Sequence, residues 1–546
     1  MNAAVTRSRL VARTHVQLAA LVAPGMLYLV ALAIRLSTLW IVPNTLNEGS
    51  AYYVTVARNI ATGRGPVIDA LWSYGTPPLT LPRSAFELWQ PLASYLAAAP
   101  MALLGPGLAT AQLAFALFGA LLAPLTWWIA ADAAKRLALP AGRQHAVAIG
   151  SGLLAAVAAP FVLATAVPDS TLPFTVIAVA ACVAIPVAAR GNARAIVGLG
   201  VLLGVAYLTR LEAVYLGLVF VAFTWSMGAR GRLLAARIGA VVVIGALVAL
   251  PWWLRNQAAF GSPMPGQLTQ NLFLTHNDQI FAFIDQPTLA GFLGQGPWAI
   301  LSNVGAAGWH DFVDDLLIPG TIVVVAGIAA ALAGWRRRKD LSHSAVGALM
   351  FYGVLVFVVA TVLFPVATLW GTFAHAAGPL FVGLTVLAVL GTDAFVARVR
   401  QWRHWSRANL WLAPAALVAL SVPMTVFQLA VTGQLARDSH QQVAAAATVV
   451  RAAVTLDVTR PVISDRPIRL SDALGGPAIE LPDESAQSVL ALARTFGATT
   501  IVIVDTQERN PAGLIAEAPN CFTPQPTTSM AGAEYLSVLT ISEDCQ

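Results

Sequence analysis

Residues 196–227 read IVGLGVLLGVAYLTRLEAVYLGLVFVAFTWSM. Arg190 and Arg194 precede this apolar run, and Arg230, Arg232 and Arg237 follow it. Basic residues in short loops mark the cytoplasmic side of a membrane protein. Both ends of the run therefore belong on that side, which one crossing cannot achieve. The pattern predicts two short helices joined by a turn at Thr209-Arg210-Leu211-Glu212. Within lipid these two charges would be costly, whereas at the outer tip of a hairpin they meet water or each other.

The rest of the chain follows the same logic. Its 546 residues are 58% hydrophobic and only 11% charged, against roughly 25% charged in a soluble protein. Lipid, not water, must cover most of the surface. Further apolar runs lie near 17–42, 109–131, 146–166, 172–189, 238–254, 317–335, 345–365, 377–397 and 408–430. With roughly 20 residues needed per crossing, and the hairpin counted as two, these make about eleven transmembrane helices. Basic clusters at Arg7, Arg9 and Arg13, at Lys135, Arg136 and Arg143, at Arg336 to Lys339, and at Arg398 to Arg407 alternate with them. This places the N-terminus in the cytoplasm. No small-residue cleavage site follows the first run, so it reads as an anchor and not a removed signal. The expected class is a mainly α, polytopic membrane helical bundle in the cytoplasmic membrane. No basic run is interleaved with aromatics as nucleic-acid binding would require.

Two long stretches, 43–105 and 256–316, fall on the outer side. Both are rich in Pro, Gly and Trp but keep apolar residues, which predicts short helices along the membrane surface. After Gln428 the composition turns soluble. The expected division is a membrane domain over 1–432 and an extracytoplasmic α/β domain over 433–546. In the latter, 460–465, 499–505 and 535–541 read as strands, and 484–496 as a helix capped by Asp483 and ended by Gly497. Cys521 and Cys545 are either free or paired, depending on whether the domain meets an oxidising compartment. Cys182 reads as packing.

The first outer loop holds Asn47-Glu48, then Tyr52-Tyr53, Ala57-Arg58-Asn59 and Gly63-Arg64-Gly65. Pro168-Asp169-Ser170-Thr171 follows the third run, and Leu208-Thr209-Arg210-Leu211-Glu212 marks the hairpin. Pro251-Trp252-Trp253-Leu254-Arg255-Asn256 precedes Phe260-Gly261-Ser262-Pro263. In this order, and all at outer helix ends, these motifs resemble the glycosyltransferase C superfamily. The branch they resemble is the bacterial one related to protein O-mannosyltransferases and aminoarabinose transferases. The likeness covers roughly residues 20–400.

That resemblance implies an enzyme that moves a sugar, with inversion, from a polyprenyl-phosphate carrier to an acceptor hydroxyl on the outer face. The acceptor is a protein, lipid or glycan. An acceptor hydroxyl needs a carboxylate to take its proton. Glu48 is the candidate base, and Asp169 the second catalytic carboxylate. A leaving lipid phosphate needs cations, for which the arginine fork is suited. Arg58, Arg210 and Arg255 are the candidates, with His375 as a further phosphate contact and Glu212 as the partner of Arg210. Aminoarabinose transferases carry Lys-Pro-Pro-Leu where this chain has Trp89-Gln90-Pro91-Leu92. Gln90 cannot supply that charge, which leaves the sugar open, with Arg83 as a candidate substitute. A divalent metal ion is a candidate cofactor. Asp169 is one place for it, and His276, Asp278, His310 and Asp311 of the second outer loop are another.

Each residue also has a plainer reading. Glu48 can be a solvated loop charge and Asp169 a helix cap. Arg210 and Glu212 can simply neutralise each other. Arg255 can mark the membrane interface beside Trp252 and Trp253. A different class, a transporter or lipid flippase, fits the helix count equally well, but its repeats and midplane breaks are not evident in the sequence. A catalytically dead scaffold displaying the C-terminal domain is the third reading.

Overall fold

The computed structural model describes residues 2–266, 271–334, 338–405, 409–453, 459–505, 510–526 and 536–545, with side chains from Val22 onward. Arg336, Arg337, Arg407 and Tyr535 lie outside these residues. Among those described, nine helices are long and apolar enough to cross a membrane. The predicted hairpin is present as Ala193–Tyr207 and Ala213–Ser226. It brings the count to eleven, as the charge pattern predicted. The helices of the hairpin have 15 and 14 residues, short of the roughly 20 that a full crossing takes. Its tip, with Arg210 and Glu212, is nearly buried.

The first span carries a charge that the apolar runs concealed. Arg35 is fully buried and makes no ion pair among the described residues. Its Nη1 donates to the carbonyls of Ala31 and Ala156 (3.2 and 3.4 Å), and Nη2 to that of Ala155 (3.4 Å). Pro160 lacks the N–H that would serve the Ala156 carbonyl, and the helix breaks there into Ala141–Val157 and Ala159–Ala166. Arg35 thus caps a broken transmembrane helix. A Cβ on Gly119 would stand 3.2 Å from Arg35 Nε and 2.7 Å from Leu172 Cδ2, so a side chain there would have to displace Leu172 and crowd Arg35.

The loop regions differ from expectation. The first contains the helix Glu48–Ala61, most of whose residues are buried inside the protein and not laid along a membrane surface. The second contains Pro297–Phe312, which continues through a π-helical turn, Val313–Leu317, into Ile318–Ala333, with a kink at Thr321 (φ 46°). The span expected near 317–335 is therefore the second part of a longer, kinked helical run.

The C-terminal sheet has the strand order Ala70–Leu71, Ala478–Glu480, Val462–Ser464, Thr500–Ile503, Ser537–Ile541, Phe522–Pro524. The first four strands are parallel and the last two antiparallel. Its edge strand comes from the first long loop. Leu71 and Tyr74 of that loop join Ile463, Ile479, Val489 and Ile501 in the domain's core. The helix Ala486–Phe496 starts at Ser485, not Asp483, because the Ser485 hydroxyl accepts from Ser488 N (3.3 Å). Gly497 ends it in the left-handed conformation that its missing side chain permits. The expected boundary at 432 falls within one unbroken helix, Leu412–Ala453. The last turns of this helix, at Val443, Ala446 and Val450, pack on the sheet.

Cys521 and Cys545 form a disulfide with a sequence separation of 24. Replacing both by Ser is expected to lower the domain's stability by about 3 kcal/mol, the loop-closure value for that length. Faster thermolysin cleavage of residues 459–545 would register the loss. Unchanged cleavage would show that the bridge adds nothing.

Candidate active site

The loops, the hairpin tip and the C-terminal domain meet at one end of the bundle. Leu92 N donates to Leu208 O (2.9 Å), which ties the first loop to the tip. Glu484 Oε1 accepts from Ile284 N and Asp285 N (2.8 and 2.7 Å), which ties the second loop to the C-terminal domain.

Asp169 sits just ahead of the helix Thr171–Ala189. Its Oδ1 accepts from Thr171 N (2.7 Å), which fixes the turn just ahead of the helix, while the N-cap position itself is Ser170. The other oxygen has a different neighbour: Oδ2 lies 3.4 Å from His375 Nδ1. His375 Nδ1 also meets the Thr171 hydroxyl at 2.7 Å. Desolvation lowers the His375 pKa, and the nearby Asp169 charge opposes that fall.

Next to this group lies the hairpin tip. Arg210 donates to both Glu212 oxygens (2.6 and 3.2 Å) and, through Nη1, to Ser170 Oγ (2.8 Å). Tyr53 reaches the same serine with its side chain, and burial pushes its phenol well above the usual range. Asp169, His375, Arg210 and Glu212 are thus brought together. Ser170, Thr171 and Tyr53 complete the group.

Asp169, Thr171 and His375 open onto a groove of about 270 Å³. Its other walls are largely apolar and include Leu46, Phe161, Leu163, Leu172 and Phe381. Asp315, which the sequence reading missed, also lines it. The signal for it was present: Asp314-Asp315 interrupts an otherwise apolar stretch.

The remaining predicted residues fall into two other groups. Glu48 is the first residue of its helix, with Asn47 as the cap: Asn47 Oδ1 accepts from Ser50 N at 2.9 Å. That explains why an amide stands before a single acid. Glu48 is nearly buried beneath the C-terminal domain. Oε1 accepts from Arg469 Nε (2.6 Å), and Oε2 from Ile468 N and Arg469 N (2.8 and 3.3 Å). It therefore caps the helix Pro467–Leu474 from outside. Arg58 pairs with Asp472 of that helix (2.6 Å). Asn59, Gly63, Arg64 and Gly65 build a turn: Asn59 donates to Val67 O, Arg64 pairs with Asp69, and both glycines have φ above +80°.

Arg83 and Arg255 form the third group, flanking Phe260 at 5.6 and 5.3 Å from its ring centre. Arg83 is fully buried and paired with Glu87 (3.1 Å). Arg255 stacks on Trp252 and donates to Asn256 Oδ1 (3.2 Å). Gln90 Oε1 is buried without a hydrogen-bond partner. Among the second-loop residues, the donor atoms of His310 and Asp311 lie within 4.8 Å of those of Asp315, while His276 precedes and Asp278 lies within a short 3-10 turn, Asn277–Phe281, elsewhere.

No known protein-family profile matches the chain. No curated protein matches it in sequence. Solved structures do match in fold. ArnT from Cupriavidus metallidurans bound to undecaprenyl phosphate superposes with a TM-score of 0.57 at 14% identity, covering 95% of this chain and 98% of that one. The archaeal oligosaccharyltransferase AglB from Archaeoglobus fulgidus, in complex with an inhibitory peptide and a dolichol-phosphate, gives 0.52 at 11% identity, covering 88% and 69%. The same oligosaccharyltransferase in complex with Zn and sulfate gives 0.52 at 12%, covering 87% and 67%. The chain thus shares the polytopic membrane fold of these solved structures.

Proposed function

We propose that the protein is an inverting membrane glycosyltransferase. It moves a sugar from a polyprenyl-phosphate carrier to an acceptor hydroxyl on the extracytoplasmic face of the cytoplasmic membrane. The carrying observation is the groove: apolar walls suited to a lipid chain lead to a polar end made by Asp169, His375 and, behind them, Arg210. The disulfide supports the orientation, since such bonds persist outside the reducing cytosol.

In the chemistry we assign, Asp169 takes the acceptor's proton as its oxygen attacks the sugar's anomeric carbon. The bond from that carbon to the phosphate oxygen breaks, and the polyprenyl phosphate leaves. Arg210 meets the charge that develops on it, and His375 donates a hydrogen bond or positions Asp169. A divalent ion would share that charge. The charged groups without a purely structural role gather at one end of the bundle, which favours transfer over a transporter or flippase.

Glu48 was the base expected from the sequence, but donors hold both of its oxygens. We assign it to latching the C-terminal domain over the site. Glu48→Gln and Arg469→Met are then expected to act alike, each lowering transfer by about tenfold, the weight of a lost charged hydrogen bond. Loss of transfer in Glu48→Gln alone would make Glu48 the base. The wider test offers the reconstituted protein a panel of labelled polyprenyl-phosphate sugars and measures release of polyprenyl phosphate. If none is consumed while labelled lipids cross the bilayer, the flippase reading replaces this one.

A further inference from the structure

The geometry points to a divalent-cation site formed by His310, Asp311 and Asp315, of which Asp315 lines the groove. His310 Nδ1 lies 3.7 Å from Asp311 Oδ1 and 3.6 Å from Asp315 Oδ2, and the donor atoms of the three residues all fall within 4.8 Å of one another. Zinc bonds to nitrogen and oxygen of about 2.1 Å imply tetrahedral ligand–ligand edges of about 3.4 Å. The three side chains therefore need only small shifts to close on one ion.

Three independent features favour an ion over a chance cluster. The first is unmet bonding. His310 Nδ1 and Asp315 Oδ2 are both shielded from solvent, and neither has a hydrogen-bond partner. The second is charge. Asp311 is fully buried, yet among the described residues no Lys or Arg pairs with it or with Asp315. Buried carboxylates are ordinarily paired or bound to a metal. The third is support. Asp311 Oδ1 accepts from Thr368 Oγ1 (2.7 Å) and Oδ2 from Thr361 Oγ1 (3.0 Å). Such outer hydrogen bonds fix a metal-binding carboxylate while leaving lone pairs free.

The π-helical turn makes the set feasible. In an α-helix, positions five apart point roughly 140° away from each other. The wider turn over Val313–Leu317 brings Asp315 round to face His310, and such bulges recur at functional sites. One imidazole and two carboxylates suit Zn²⁺ or Mn²⁺ better than Mg²⁺ or Ca²⁺. Three protein ligands leave a position open, and Asp315 lies on the groove beside Ala374 and His375. That open position suits a phosphate oxygen of the carrier. This last role rests on the transferase reading, whereas the ion site does not.

The test uses the full-length protein in detergent, stripped with chelator and titrated with Zn²⁺ by calorimetry and with Co²⁺ by visible absorption. One ion per chain is expected, with tetrahedral-type Co²⁺ bands. Asp315→Asn and His310→Ala should each weaken binding at least tenfold. Asp314→Asn, an exposed neighbour, should bind as the unmodified protein does. His310 is part-exposed, so its variant keeps the test decisive if Asp315→Asn fails to fold. No ion above background, or equal binding by the Asp314 and His310 variants, would overturn the site. A protein that takes the ion but transfers no sugar keeps the site and rejects the function proposed above.

Discussion

Replacing Asp169 by Asn is expected to lower sugar transfer by about 10²- to 10⁴-fold, the usual weight of a general base, with no loss of thermal stability. The two halves of that expectation come from its two oxygens. Oδ1 accepts from Thr171 N in the turn ahead of the helix, and the side-chain oxygen of Asn can accept the same bond. Oδ2 faces His375 at the groove, and there the amide supplies neither charge nor basicity. Asn therefore removes the chemistry and keeps the hydrogen bond to Thr171 N. Transfer rates measured on reconstituted protein, beside its melting temperature, check both halves. A stable variant that retains full activity would reduce Asp169 to its bond with Thr171 N. A variant that loses both would leave that structural bond as the larger role.

Much of this was legible in the sequence, because the bilayer imposes a coarse and strong rule. Apolar length and alternating arginines were enough to find the hairpin and the eleven helices. Motif positions at helix ends then brought Asp169, Arg210, Glu212 and His375 onto one side, and the structure brings them together. What stayed hidden depends on long-range packing. Nothing local shows that Ala70–Leu71 joins a sheet whose next strand begins at Ala478. Nothing local shows that Glu48 meets Arg469, more than four hundred residues away. Asn47-Glu48 is read alone as an exposed active acid, and only the partner helix shows that acid to be engaged. Arg35 was concealed in the opposite way. A single charge inside an apolar run barely alters its hydropathy, and the need for it arises at Pro160 in another helix.

Arg210→Met is expected to remove transfer and destabilise the protein together, and a second change should separate the two. The side chains of Arg210 and Glu212 are only 13% and 12% exposed. Breaking such a pair from one side leaves an uncompensated carboxylate and costs about 3–5 kcal/mol. Replacing both members by apolar residues of similar size is often nearly neutral. The double variant Arg210→Met/Glu212→Leu should therefore recover most of the lost stability. It should not recover transfer, because the cation that meets the leaving phosphate is still missing. A loss of at least 10²-fold relative to the unmodified protein is expected, comparable to deleting one electrostatic donor in an active site. Donor concentration offers a finer reading. If Arg210 acts mainly as the phosphate leaves, kcat falls more than KM rises. If it only holds the resting carrier, the order reverses. A double variant that is both stable and fully active would show that the pair exists for the fold alone, and the charge on the departing phosphate would then need another partner.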